Sequence, residues 1–375
     1  MEIDFHFGVT YVLGRLAGFA HDSALTVATA AQYVDDTVSE GTINFITGEK
    51  YSRISSSHEK WNPKIALSSP ERNVWVPFHF LPSAEQSPTP SGERFYDTII
   101  CRPNSQVAKE MLNVCISKKN TPNALHRLGI TAHVFADTWA HQGFAGMNHK
   151  INRASKIKLL NIELGTPVDQ FKRTFAHLQR AYEAQGLHSL LSRIWFNFLS
   201  KSLSWIFPMG HGAVLHYPDW PFLKWSYVNG HGIKIQRDNV SDFLEAAEEL
   251  YKFFSRYRDN ERNTSMPQQD RELIKTMFST LQNEDGEKRC LKWIDAVKSG
   301  KFSFGPADIS YFPKGQKSWK FKALHTNARW DFPWEKFEYT PEFLTSDWKL
   351  FHDALQSHRL DMLHEVFPKF EVCVN

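Results

Sequence analysis

The sequence is poor in cysteine. Cys101, Cys115, Cys290 and Cys373 lie scattered through 375 residues and form no CxxC pair. That usage excludes a disulfide framework and a thiolate zinc site. An excess of one charge is lacking too. The formal net charge is +3, too small for charge alone to hold nucleic acid or an anionic membrane. No apolar run is long enough to cross a bilayer. The opening "MEIDFHFGVTYVLGRLAGFA" starts with acids and has no basic n-region, so no signal peptide is expected. The expected location is the cytoplasm, or outside the cell by a route that needs no cleaved signal. No internal repeat, low-complexity tract or convincing series of strands is visible.

Aromatic residues and histidines are plentiful. Hydrophobic content of 42% suffices for a real core. Of 17 histidines, 12 precede residue 217, which points to a histidine-using site in the N-terminal part.

Apolar spacing and cap residues predict helices over residues 4–19 and over 22–38, the latter capped by Asp22 or Ser23. Another runs from a Ser105 cap to about Lys118. Asn120 or Thr121 caps the helix that contains "AHVFADTWAHQGF". Residues 167–206 also read as helical, as do "VSDFLEAAEELYKFFSRYRD", "DRELIKTMFSTLQ" and "TSDWKLFHDALQSHRLDMLHEVF". Residues 40–104 are loop-rich, and "MGHGAVLHYPDWPF" is a Gly- and Pro-punctuated loop. The expected fold is all-α, a multi-helix bundle with long loops. Residues 1–235 would form a metal-binding helical domain, with 236–375 a helical region packed on it or continuous with it.

"AHVFADTWAHQGF" carries the chemistry. At about 100° per residue, His126, His133, Asp137 and His141 share one stripe of the helix. Gly129, Ala132, Ala136 and Ala140 form an adjacent stripe of small residues, which lets a neighbouring helix come close and bring ligands of its own. His133 and Asp137 stand on successive turns and can share one metal. His133 and His141 lie about 12 Å apart along the axis, so more than one ion is expected, with Asp137 bridging. A polar face with an Asp–His hydrogen bond is the bland alternative. Further ligands would come from His6, Asp35 or Asp36, His58, His79, and His211, His216 and Asp219 in the "GHGAVLHYPDWP" loop. Asp35 shares a helix face with Ala28 and Ala31, and a buried carboxylate needs a partner. Without thiolates, zinc takes nitrogen and carboxylate ligands.

In that order, these residues resemble the zinc-dependent phospholipase C and single-strand nuclease superfamily. "AHVFADTWAHQGF", "WVPFHFLP" and "GHGAVLHYPD" look like an uncharacterised bacterial branch of it, over roughly residues 1–230. The resemblance implies an all-helical fold, a zinc cluster of one to three ions and hydrolysis of phosphoesters. It makes His6 the N-terminal histidine ligand, Asp35 or Asp36 the first aspartate and His58 the histidine after it. His133 and Asp137 match the central HxxxD, with Asp137 bridging. His141, and His211 or His216 with Asp219, complete the cluster. The chain departs from the family at residue 1, where the classical enzymes ligate zinc through the amino group of a processed Trp. His21 or His79 is the expected replacement.

The predicted function is therefore metal-dependent phosphoester hydrolysis, with Asp35 or Asp36 doubling as base for the attacking water. The aromatic stretch over residues 187–208 would either seat on a phospholipid surface or lie in the core. Exposed aromatics beside basic residues, as a nuclease needs, occur only in "FLKWSYVNGHGIKIQR". A non-enzymatic helical protein with a structural metal is the competing reading. A phosphohydrolase using His21 and Asp22 is another, but Asp22 reads better as a helix cap.

Overall fold

The computed structural model describes residues 1–57, 72–85, 98–162, 210–260, 264–326 and 335–372. His58 and the helices expected within residues 167–206 and 187–208 lie outside the described residues.

A π-helix, Asp4–Val9, runs directly into α1, Thr10–Leu16. Then come α2 (His21–Asp36), β1 (Gly41–Phe45), β2 (Lys50–Arg53) and α3 (Arg72–Phe78). The central helices are α4 (Gln106–Ser117) and α5 (Ala124–Ala140). After β3 (Ser155–Leu159), the hairpin β4 (Lys224–Val228) and β5 (Lys234–Asp238) leads into α6 (Asn239–Asp259). The remainder holds α7 (Gln268–Thr280), α8 (Gly286–Lys298), α9 (Trp319–Leu324), β6 (Lys336–Phe337) and α10 (Asp347–Asp361).

The fold is mixed, with helices and two three-stranded sheets, and not all-α. One sheet has the order β2-β1-β6, with β1 antiparallel to β2 and parallel to β6. The other is the antiparallel β3-β4-β5. The described strands are at most five residues long, too short for an alternation to stand out. The "FLKWSYVNGHGIKIQR" stretch is the β4–β5 hairpin, in which Trp225 and Tyr227 are buried.

Cap chemistry explains several helix starts. The side chains of Ser105, Asp285, Ser318 and Ser346 accept backbone N–H groups at the first turns of α4, α8, α9 and α10. The caps expected for α2 and α5 do not form: Ala20 and Asn123 precede those helices, and neither makes a side-chain cap bond.

Helix α5 is buried from His126 to Ala140, packed by α2, α4, α6 and α10. Its contact with α2 is close because Gly129 has no side chain. A Cβ there would stand 2.4 Å from the Val27 carbonyl oxygen and 2.6 Å from the Ala30 Cβ. One buried cluster takes in Phe5, Leu128, Phe253, Trp293 and Phe367, so the regions 1–235 and 236–375 share a core. Among the described residues, no helix is long and apolar enough to cross a membrane.

Candidate metal centre

Asp137, on the buried face of α5, is the hub. Its Oδ1 lies 2.6 Å from the amino group of Met1 and 3.3 Å from His6 Nε2. Its Oδ2 lies 3.3 Å from His79 Nδ1, 3.3 Å from His133 Nε2 and 3.6 Å from His141 Nδ1. The π-helix presents His6, whose ring stacks on His133 with centroids 3.8 Å apart. Helix α2 presents Asp35, 3.9 Å from both His79 Nδ1 and His133 Nε2. Three groups can each hold a metal: His6, His133 and Asp137; Asp35, His79 and His133; and His141, His211 and Asp219.

Four of the histidines are oriented alike. His133 Nδ1 faces the Ala31 carbonyl at 2.8 Å, His79 Nε2 that of Ser56 at 2.9 Å. His141 Nδ1 faces the His79 carbonyl at 2.8 Å and His211 Nδ1 that of Leu215 at 2.6 Å. A carbonyl only accepts, so each facing nitrogen carries the proton. In a neutral ring the other nitrogen then keeps its lone pair. Those lone pairs point at Asp35, Asp137 and Asp219. His79 Nδ1 and His133 Nε2 stand 3.2 Å apart beside a carboxylate; burial opposes a charged His79, but Asp137 and Asp35 outweigh it and raise its pKa, so the space between these groups draws a cation. Such a convergence is stable only with positive charge between its members. A histidine that ligates metal through one nitrogen usually donates its other ring N–H to a carbonyl or carboxylate, and these four rings are oriented in that way. The donor set is all nitrogen and oxygen, which suits zinc. Neither ring nitrogen of His6 makes a hydrogen bond, nor does the buried Asp219 Oδ1. The residues present therefore fit a metal.

The charges are consistent with this. Burial raises Asp137 and Asp219 in energy. For Asp137, His141 and the Met1 amino group outweigh burial and hold the carboxyl well below its ordinary range. For Asp219 the amino group and His211 do the same. Burial opposes the Met1 ammonium, but Asp137 and Asp219 lift it to about 11. His133 is pushed down to about 4 by burial and then by His6. His211 is pushed to about 4 by burial despite Asp219. Both rings are neutral at pH 7, the form that ligates.

The structure separates the alternatives that the sequence left open. Asp35 is in the cluster. Asp36 is exposed, where it accepts hydrogen bonds from Gln32 and Tyr311. His211 is in the cluster. His216 is 41% exposed and pairs instead with Glu2, 3.3 Å away. His126 leaves the stripe to meet Asp347 at 3.0 Å. His21 bonds Tyr11 at 2.8 Å and takes no part, and Asp22 is exposed. His79 belongs to the Asp35 group, and the amino group of Met1 itself lies between Asp137 and Asp219, 3.2 Å from the latter. Asn239 pins the loop that carries Asp219, donating to the Tyr217 and Trp220 carbonyls at 2.7 and 2.8 Å.

Residues 1–366 match the sequence family described as "Family of unknown function (DUF6765)". No curated protein and no solved structure matches the chain.

Proposed function

The chain thus belongs to a family of unknown function, and from the centre alone we propose a metal-dependent phosphoester hydrolase, similar in kind to zinc-dependent phospholipase C. The observation that carries the reading is the convergence of histidine nitrogens on three aspartates, Asp35, Asp137 and Asp219. Zinc is the proposed ion. Asp35, His79 and His133 would hold one, and His141, His211 and Asp219 a second. Because His133 offers a single free nitrogen, a third ion beside His6 would draw on Asp137 and the Met1 amino group. That group must first lose its proton. Bound zinc supplies Lewis acidity, which makes water acidic enough to attack near neutral pH and stabilises charge on phosphoryl oxygens.

The chain's own residues do the rest. Asp137 and Asp219 each present two oxygens and hold the ligand groups at fixed spacing. His6, His133 and Asp137 are fully buried, so they would hold metal and do not meet the substrate. The open side is at Asp35, 32% exposed, and His211, 19% exposed. Asp35 is the carboxylate placed to accept a proton from attacking water. The cytoplasm is the proposed location. A phospholipid at a membrane surface is the proposed partner only if the segment 187–208 is exposed beside the centre. A single-strand nuclease-like phosphodiesterase is the alternative within the same chemistry.

The test is metal analysis of protein purified without added metal, followed by hydrolysis of a soluble phosphodiester. Stoichiometric zinc, activity lost to chelator and activity restored by zinc are expected. Zinc bound without any phosphoester cleavage would leave a structural metal as the function of the centre.

A further inference from the structure

His79, His133, His141 and His211 are each oriented by a backbone carbonyl. His6 is not. Its ring stacks on His133, and its place is set by the π-helix Asp4–Val9 that carries it. That segment is packed through Phe5 and Phe7, and a side chain far along the chain grips its polar groups. Arg289, in the first turn of α8, has a fully buried side chain. Its Nε donates to Asp4 Oδ2 at 2.5 Å, and its Nη2 to Asp4 Oδ1 at 3.1 Å and Glu2 Oε2 at 2.6 Å. Its Nη1 donates to the Asn283 carbonyl at 2.5 Å. Glu2 adjoins Met1, and Asp4 stands two residues before His6, so one guanidinium grips both ends of the stretch that delivers them. Glu2 is held again by His216, 3.3 Å away. The packing leaves no slack: a Cβ on Gly8 would lie 2.8 Å from the Trp293 Cβ, and one on Gly286 2.6 Å from Glu2 Oε2.

We propose that Arg289 is a positioning residue of the metal centre, holding Glu2 and Asp4 so that Met1 and His6 face Asp137. Helix α8 provides no ligand, yet through Arg289 it sets how tightly the His6 side of the centre holds a metal. The proposal rests on the metal reading above.

The experiment uses the full chain, stripped of metal and titrated with Co2+ while its visible spectrum and melting are followed. Arg289→Gln should weaken part of the Co2+ uptake by about 10- to 100-fold, the usual effect of removing an outer-shell partner. The spectrum of that part should change, and the ion at His141, His211 and Asp219 should stay. Arg289→Lys should recover some of the loss. Arg127→Gln is the control. It breaks another buried arginine contact, to Asp361, and should lower the melting temperature without altering the Co2+ spectrum. If Arg289→Gln does not fold, Glu2→Gln, which leaves both Asp4 contacts in place, should show the same spectral change with a smaller loss. Wild-type affinity and spectrum in Arg289→Gln, or in Glu2→Gln where that variant stands in, would overturn the proposal. So would an equal change in Arg127→Gln. A wild-type protein that takes up neither Co2+ nor zinc would overturn the metal reading, and this one with it.

Discussion

Asp35 and Asp36 differ by one step of helix rotation, about 100°. That step puts one carboxylate beside His79 and His133 and the other against Tyr311 on the outside. Asp35→Asn should lose the ion of its group and abolish hydrolysis. Asp36→Asn should keep the metal content and cost at most about 1 kcal/mol, the worth of an ordinary hydrogen bond. Elemental analysis and thermal melts decide both. A matching contrast holds in the loop: His211→Asn should lower metal content, and His216→Asn should not abolish it. The sequence could nominate each pair because the residue types are right. It leaned towards Asp35, since helix periodicity sets it on the face of Ala28 and Ala31. It had no means of choosing between His211 and His216, which lie in a loop without a period. The Met1 amino group has no side-chain signal at all.

Helix α5 was legible because its pattern is long and its small-residue stripe has a mechanical meaning. Gly129 meets the Val27 carbonyl of α2, and α2 carries Asp35. Gly129→Val should force the two helices apart. The expected cost is about 1–3 kcal/mol of overpacking, with a weakened hold on zinc, measured by urea denaturation and metal titration. The short strands were not legible: "GTINF" and "SKIKL" are set by their pairing partners more than by their own residues. Helix α8 is likewise absent from the helices that the sequence pattern marks. Helix α10 offers a test independent of the metal. Burial, then Arg127, push His358 down to about 3. Burial, then Arg53, hold His352 well below its ordinary value. Both are neutral in the folded chain, whereas in the unfolded chain they take a proton near 6.5. The folded state therefore binds fewer protons below that point. The stability is full above about pH 6.5 and falls as pH drops towards 3, by up to about 1.4 kcal/mol per unit for each histidine. With chelator present throughout, His358→Gln should lose less stability than wild type between pH 7 and pH 5, read from urea midpoints.

On the scale of the whole molecule, the shared core argues against a cut at residue 235. Residues 1–235 alone would leave Phe5 without Phe243 and Phe278, which pack on its ring at 5.6 and 6.0 Å between centroids. That fragment should show no cooperative melting by circular dichroism, and a sharp transition would restore the two-domain division. The sequence reading allowed for one continuous domain, but it had no counterpart for the last third and so gave that region no part in the centre. The Arg289 grip on Glu2 and Asp4 has a consequence for timing. A ribosome adds about 5–20 residues per second, so residues 2 and 4 wait on the order of 14–60 s for their partner to be made. Until then Asp4, which ends buried, and Glu2 lack the guanidinium that holds them. Residues 2 and 4 are thus held by a side chain made much later, which makes completion of the centre a late event in the life of each new chain.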